Sequence, residues 1–438
     1  MRYLLYLILL VVLLGCGRES TPLGTAFEGL PVRNVVVISF DALRADALGV
    51  YGYERGTSPH IDRWASRAVI FDRAHASAQA TPTSFAGAFT GRYPFRVFRG
   101  WQLEDEETLA SRFRDNGFHT AFLSNNIQVM AERGFGVGFN DYVVRDAGDD
   151  EELLPQVLEW IDKAPDEPLF AWFHFLSPHT PYDARQMAER FYDPSYEGPF
   201  EETTTGEFSA ETPADQARVR DLYDGEVFYA DWIFRQVLDR LERKGLLEQT
   251  LIVLTADHGE EFLEHGQYQH NHVYEEVSRI PLIFWHAQLG SVVRSDQPVS
   301  NVDLFPTLAA LAGFPADEKP MDGEDLTQPL PDDRVRIVAA MTHAHDRQIA
   351  IMQDRHKLIL VCSPDYAELL YDLAADPGET RDIAPDDPPR VEALIEEATR
   401  LFGEDPCNAM AKATQGLPIE SGLTEEQIER LRSLGYIQ

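Results

Sequence analysis

The chain has 438 residues, of which 73 are Asp or Glu and 38 are Lys or Arg, for a formal charge of -35. Such an excess of acids excludes nucleic acid as a partner, because phosphate-backbone binding depends on basic patches that release counterions. The composition is globular, with 44% hydrophobic and 25% charged residues; the length allows about two to four domains, and an anionic substrate would need local positive charge from a bound metal rather than from the overall field.

Residues 1–16 predict a secretion signal, with Arg2 as its positive start and an apolar run from Leu4 to Leu14 that is too short to span a bilayer. The run ends Leu13-Leu14-Gly15-Cys16, which resembles the lipobox of bacterial lipoproteins. That resemblance implies cleavage before Cys16 and lipidation of its sulfur; the alternative is an ordinary signal peptide with a chance Cys. Gly17 follows rather than Asp, so the inner-membrane retention signal is missing. The expected address is the outer membrane, facing the periplasm or the cell surface. Residues 17–32 read as a short tether of Gly, Ser, Thr and Pro. Only Cys362 and Cys407 then remain. Outside the cytoplasm they could pair, but separation in sequence does not establish a bridge.

The run Asn34 to Phe40 predicts a first buried strand that delivers Asp41 at its C-terminal end, followed by Arg44 and Asp46. Thr81 precedes a predicted short helix with Pro82 at its first position and Gly91 just past its end. A hydroxyl there sits at the positive pole of a helix, where an anion is also welcome; the plainer reading is an N-cap. His119 to Leu123 leads to Ser124, Asn125 and Asn126. Leu169 to Leu176 leads to Ser177, Pro178 and His179, with His174 inside the strand as a satisfied core residue. His179 reads either as a loop histidine or as part of a site. Residues 183–215 look like a long surface excursion, of the kind that forms lids. Tyr229, Ile233, Val237 and Leu241 recur every four residues and mark a helix capped by Gly245.

That helix feeds the apolar run Leu251 to Leu254, which ends Thr255-Ala256-Asp257-His258-Gly259. Ligands bind at the carboxyl ends of strands in open α/β sheets, and an adjacent Asp and neutral His make good ligands for a divalent metal. His265, His270 and His272 follow, then a strand from Ile280 to Phe284. The alternation predicts an α/β fold over residues 33–330, a mostly parallel sheet with helices on both faces. Residues 331–438 predict a smaller C-terminal α+β subdomain.

These pieces, in order, resemble the sulfatase family of the alkaline phosphatase superfamily. The carrying segments are Phe40 to Asp46, Thr90-Gly91-Arg92-Tyr93-Pro94, Pro178 to Tyr182, Asp257 to Glu260, Asp303 to Leu308, Leu370 to Leu373 with Asp376 to Glu379, and Arg430 to Tyr436. The departures are informative. Sulfatases carry a Cys or Ser, converted to formylglycine, in a Cys/Ser-x-Pro-x-Arg motif; here the matching positions are Thr81, Thr83 and Phe85. The second Asp of the usual pair is Ala42, and His258 stands where Asn is common. A Thr nucleophile looks instead like the phosphodiesterases, phosphonate hydrolases and phosphoglycerol transferases of the superfamily. The resemblance implies a divalent metal (Mn²⁺, Zn²⁺, Mg²⁺ or Ca²⁺, the mixed ligand set suiting the first two better) held by Asp41, Thr81, Asp257 and His258. It also implies Thr81 as nucleophile and His179 near the substrate oxygens. His265, His270 or His272 would be the acid for the leaving group or part of a second metal site. Arg44 is the nearest base to the first motif and a candidate for substrate binding. The expected substrate is a small-molecule, glycan-linked or lipid-linked anionic ester. Phosphoester or phosphonate cleavage is the leading expectation. Sulfate-ester hydrolysis without formylglycine, and a non-catalytic surface-anchored binding lipoprotein, are the alternatives.

Overall fold

A computed structural model describes residues 23–433 except 105–106, 146–148, 184–186, 188, 201–209, 211, 316–318, 332–333, 341–346 and 414–423. The signal sequence, Cys16 and most of the 201–211 stretch lie outside the described residues. The tether expectation needs correction from Leu23 onward. Leu23–Phe27 is a short helix, and Phe27 is buried with its ring 5.7 Å from that of Phe284.

The core is an eight-stranded sheet of β1 (Asn34–Phe40), β2 (Ala68–Phe71), β3 (His119–Ser124), β4 (Asp141–Val144), β5 (Leu169–Phe175), β6 (Thr250–Ala256), β7 (Leu282–Trp285) and β8 (Val293–Ser295), in the order β8-β2-β7-β6-β1-β5-β3-β4. All neighbours are parallel except β7, which runs against both β6 and β2. β1, β5 and β6 are buried along their whole length. Their unbroken apolar runs are therefore the signature of strands covered on both faces. The helices Pro59–Ala65 and Asp150–Lys163 pack against the long helix Pro213–Arg243, while Thr81–Thr90, Leu109–Asp115 and Leu304–Leu311 pack against one another. The helix expected near Tyr229 thus begins at Pro213, inside the stretch read as a surface excursion. Thr212 caps it by accepting from the Asp215 N–H.

The C-terminal subdomain is an antiparallel four-stranded sheet, β9 (Val335–Ala340), β10 (Gln348–Gln353), β11 (His356–Val361) and β12 (Ala367–Asp372), covered by the helices Pro388–Phe402 and Pro406–Ala413. Its core takes in Tyr93, Phe95 and Val302 from the layer of helices on the larger sheet, so it is packed on the larger region. Cys362 and Cys407 are joined by a disulfide, with Cα atoms 5.4 Å apart and 45 residues of separation. Closing a loop of that length restricts the unfolded chain by about 4 kcal/mol in the chain-entropy account.

Candidate active site

β1 and β6 are adjacent and parallel, with Phe40 level with Ala256. The next residues on each, Asp41 and Asp257, therefore emerge side by side at the carboxyl end of the sheet, with His258 following. One ligand atom from each of the three lies within 4.8 Å of the others, and all three residues are buried. Asp257 Oδ1 accepts from the Ala42 N–H (3.2 Å) and the His258 N–H (2.9 Å). Its Oδ2 has no hydrogen-bond partner among the described residues. His258 Nδ1 faces the Gly259 carbonyl at 2.9 Å and must donate to it, because a carbonyl only accepts. In the neutral ring this leaves the Nε2 lone pair 3.5 Å from Asp41 Oδ1 and 3.5 Å from Asp257 Oδ2.

A buried lone pair facing two buried carboxylates is repulsive unless a cation stands among them. Spacings near 3.4 Å are what bonds of ~2.1 Å to one tetrahedral ion produce. The donor set therefore fits a divalent metal. Burial disfavours the charged imidazole, yet the Asp257 and Asp41 carboxylates outweigh it and raise the His258 pKa. For Asp41, burial pushes upward but His179, His174 and His258 hold its carboxyl well below the ordinary range.

Thr81 is the first residue of the helix Thr81–Thr90, which is buried throughout, and Ala80 is the cap residue. The N-cap reading of Thr81 is thereby corrected. Its hydroxyl lies 3.4 Å from Asp41 Oδ2 and 3.3 Å from Asn126 Nδ2, and Asn126 Nδ2 also donates to Asp41 Oδ2 at 2.7 Å. The hydroxyl thus accepts from Asn126 and donates towards Asp41. Phe85, at the position where sulfatases have Arg, is buried against Phe89, Phe122, Trp172 and the His174 ring.

His174 is more than a satisfied core residue. Trp172 Nε1–H donates to Ser39 Oγ (2.8 Å), which leaves the Ser39 hydroxyl proton for His174 Nδ1 (2.9 Å). His174 Nε2–H then faces Asp41 Oδ2 at 3.7 Å and Asp257 Oδ2 at 4.0 Å. The backbone under the site is strained to suit: Ala42 has φ 59, a left-handed conformation that costs a non-glycine residue roughly 1–2 kcal/mol. Tyr223, from the long helix, pins that turn by donating to the Ala42 carbonyl (2.7 Å) and accepting from the Arg44 N–H (2.9 Å).

The expected histidines divide. His179 is buried, donates from Nδ1 to the Thr180 carbonyl (2.6 Å), and has its ring centroid 6.4 Å from that of His258. His270 stacks on His258 at 4.2 Å, stands 5.3 Å from His179, and reaches Glu260 Oε1 at 3.3 Å. Burial raises the Glu260 carboxyl to about 7, against the pull of His179 and His258, and Tyr182 donates to it at 3.0 Å. His265 instead stacks on Tyr274 beside Glu276, and His272 pairs with Glu261 at 2.9 Å. Neither joins the imidazole group, because the loop between Glu261 and Tyr274 doubles back in a two-strand ladder. Arg44 also needs correction. Its guanidinium is buried and committed to Asp46 (2.7 Å), Glu264 (2.6 Å) and the Glu260 carbonyl (2.9 Å). It braces the loop after His258. His174, expected only as a core residue, also reaches this group, while Asn126 and Glu260 lie in segments the sequence singles out past strand ends without a role assigned to them.

Gly259 lets that loop approach the short helix Glu275–Ser278. A Cβ there would meet the Glu276 carbonyl oxygen at 2.1 Å and Arg44 Cγ at 3.3 Å. Gly259→Ala is expected to cost ~1–3 kcal/mol of stability as an overpacking substitution and to weaken metal binding by displacing His258. Thermal unfolding with and without Mn²⁺ checks both; an unchanged melting temperature would refute the clash.

A mostly parallel sheet thus gathers two carboxylates and an imidazole at its strand ends, beside the buried Thr81 hydroxyl at a helix start. The comparisons with known proteins place the chain in a family. The family model described as Sulfatase matches residues 33–314, and one described as N-sulphoglucosamine sulphohydrolase, C-terminal, matches residues 263–401. The chain belongs to the sulfatase family. It is 23% identical to a sulfatase of Formosa agariphila, over 79% of this chain and 82% of that one. It is also 23% identical to the Delta 4,5-hexuronate-2-O-sulfatase of Bacteroides thetaiotaomicron, over 87% and 90%. Among solved structures, the phosphonate monoester hydrolase of Agrobacterium radiobacter superposes with a TM-score of 0.70 at 21% identity, covering 86% of this chain and 96% of that one. A structure in complex with its substrate D-glucosamine-2-N,6-O-disulfate superposes with a TM-score of 0.71 at 18% identity, covering 85% and 99%.

Proposed function

We propose that this protein is a metal-dependent hydrolase or transferase that cleaves a phosphoester or phosphonate, with Thr81 as nucleophile. The observation that carries the reading is the Thr81 hydroxyl, first in a buried helix, not used as a cap, and directed at Asp41 and Asn126. Asp41, Asp257, His258 and Thr81 would hold the ion. When bound, the ion lowers the pKa of a coordinated hydroxyl and offsets charge on the transferred group. Asn126 and Asp41 aim the Thr81 hydroxyl, which gives up its proton to water as its oxygen attacks phosphorus in line and the bond to the ester oxygen breaks. The resulting threonyl ester is hydrolysed by water or passed to an acceptor hydroxyl. His270, backed by Glu260, supplies the proton to the departing oxygen, and His179 contacts the non-bridging oxygens. The helix N-terminus adds its dipole to the binding of the anionic group.

The relatives named as sulfatases support a second reading, hydrolysis of a sulfate ester without formylglycine. Thr81 and Phe85 oppose it. The disulfide between Cys362 and Cys407 supports an oxidising compartment, in keeping with an exported lipoprotein tethered through Cys16 to the outer membrane. The substrate would then be a small-molecule, glycan-linked or lipid-linked anionic ester met outside the cytoplasm.

Turnover by the metal-loaded chain, residues 17–438, on aryl phosphate monoester, phosphodiester, phosphonate and sulfate substrates tests the proposal. Phosphorus-ester cleavage is the expected result. Cleavage of sulfate alone would overturn it in favour of the second reading, and no turnover on any substrate with metal bound would favour a binding lipoprotein.

A further inference from the structure

Away from Thr81, one cluster of ligand-type side chains has no part in the chemistry above. His265, Glu276 and Glu379 each offer one donor atom, all within 4.8 Å of one another. They come from three separate segments: the loop after β6, the helix Glu275–Ser278, and the turn that follows β12 in the C-terminal subdomain. The Glu276 side chain is 6% exposed, and its Oε1 lies 3.3 Å from His265 Nε2. At that separation an aligned N–H would be bonded, yet neither atom has a hydrogen-bond partner among the described residues. A buried carboxylate oxygen and ring nitrogen left in this state are unfavourable unless a further partner stands between them. The ring is not free to turn away. It stacks on Tyr274 at 3.6 Å and 7°, and its own backbone N–H is held by Glu261 Oε1 at 2.9 Å.

Lys357 Nζ lies 3.0 Å from Glu275 Oε1 and 3.0 Å from Glu379 Oε1, and Glu275 also faces His75 Nε2 at 3.1 Å. Neither of these ion pairs includes Glu276. The 3.3 Å gap between His265 Nε2 and Glu276 Oε1 is close to the edge of a coordination tetrahedron with bonds of ~2.0–2.1 Å. A cavity of about 660 Å³ reaches Glu276, where Arg44, Arg279, Glu264 and Glu275 are among the residues that line it.

We propose that His265, Glu276 and Glu379 form a second cation site, for a divalent ion of the Zn²⁺ or Mn²⁺ type, with water completing its shell. The mixed imidazole and carboxylate set selects such ions over Ca²⁺. Its ligands join the catalytic region to the C-terminal subdomain through Glu379. The helix it holds is also the one whose carbonyls accept from the turn after His258: Val277 from the Gly259 N–H (2.7 Å) and Glu276 from the Glu260 N–H (3.0 Å). The second ion therefore steadies the first pocket without entering it. This site depends neither on the ester cleaved nor on the role of Thr81.

The test is the zinc content of the whole chain after loading and desalting, read by native mass spectrometry. The wild type is expected to hold two ions per chain, and Glu276→Gln, His265→Ala and Asp257→Asn one each. The double variant Glu276→Gln with Asp257→Asn is expected to hold none. An ion count in both Glu276→Gln and His265→Ala equal to that of the wild type, whether one or two, would overturn the proposal; a wild type with one ion that is lost in these variants would instead remove the first pocket's ion. Near-ultraviolet circular dichroism checks folding; His265→Ala, at the rim of the cluster, serves where Glu276→Gln fails to fold.

Discussion

Thr81→Ala is expected to lower turnover by about 10⁴-fold or more on whichever ester the wild type cleaves, as removal of a covalent nucleophile does elsewhere. The folded chain should survive the change. The lost groups are one methyl and one hydroxyl at the first position of a helix whose cap is Ala80, and the helix is otherwise anchored by the buried Phe85, Phe89 and Ala86. Thr81→Ser separates chemistry from packing. It keeps the oxygen that Asn126 and Asp41 orient and should retain most of the activity, while Thr81→Ala and Thr81→Val should not. Rapid quench followed by intact mass and peptide mapping should find the transferred group on Thr81 in the wild type. Activity surviving in Thr81→Ala, or a covalent adduct elsewhere, would remove Thr81 from the mechanism.

Asp257→Asn should abolish tight binding in the first metal pocket and yet leave the metal-free protein as stable as the wild type or more so. Oδ1 of Asp257 is used by the Ala42 and His258 backbone N–H groups, and an Asn carbonyl can accept both. Its Oδ2, by contrast, is buried beside Asp41 and the His258 lone pair without a hydrogen-bond partner. Replacing it with a neutral amide relieves like-charge repulsion by roughly 1 kcal/mol in the empty pocket while removing one of two carboxylates that a divalent ion needs. Metal stabilisation grows as RT ln(1 + [L]/Kd), so the wild type should gain about 2.7 kcal/mol when the ion is present at a hundred times its Kd. The variant should gain nothing from this pocket. Calorimetric titration with Mn²⁺ and thermal unfolding in chelator give the two readings. A variant less stable than the wild type in chelator would show that Asp257 is primarily a structural hydrogen-bonding group.

Much of this protein was determined locally and could be read in one dimension. The runs ending at Asp41 and at Asp257 are apolar without alternation, and only a strand covered on both faces accommodates that. Ligands at the ends of such strands follow from the geometry of parallel sheets. The alternation of strands and helices, the smaller α+β subdomain, and the Thr81 helix closed by Gly91 were legible from local pattern as well. The tertiary structure alone decided which distant residues share the pocket. Asn126 reaches Asp41 because β3 lies two strands from β1 with β5 between them. His174 looked like an ordinary core residue until Ser39 and Trp172 set its tautomer, and those contacts depend on the register of β1 against β5. His270 rather than His265 or His272 stacks on His258 because of how one loop folds back, and Arg44 is buried in ion pairs with Asp46 and Glu264. Each is a choice among chemically equivalent groups close together in sequence, which spacing cannot rank. The ranking comes from strand register, loop path and burial, which depend on contacts between segments far apart in the chain.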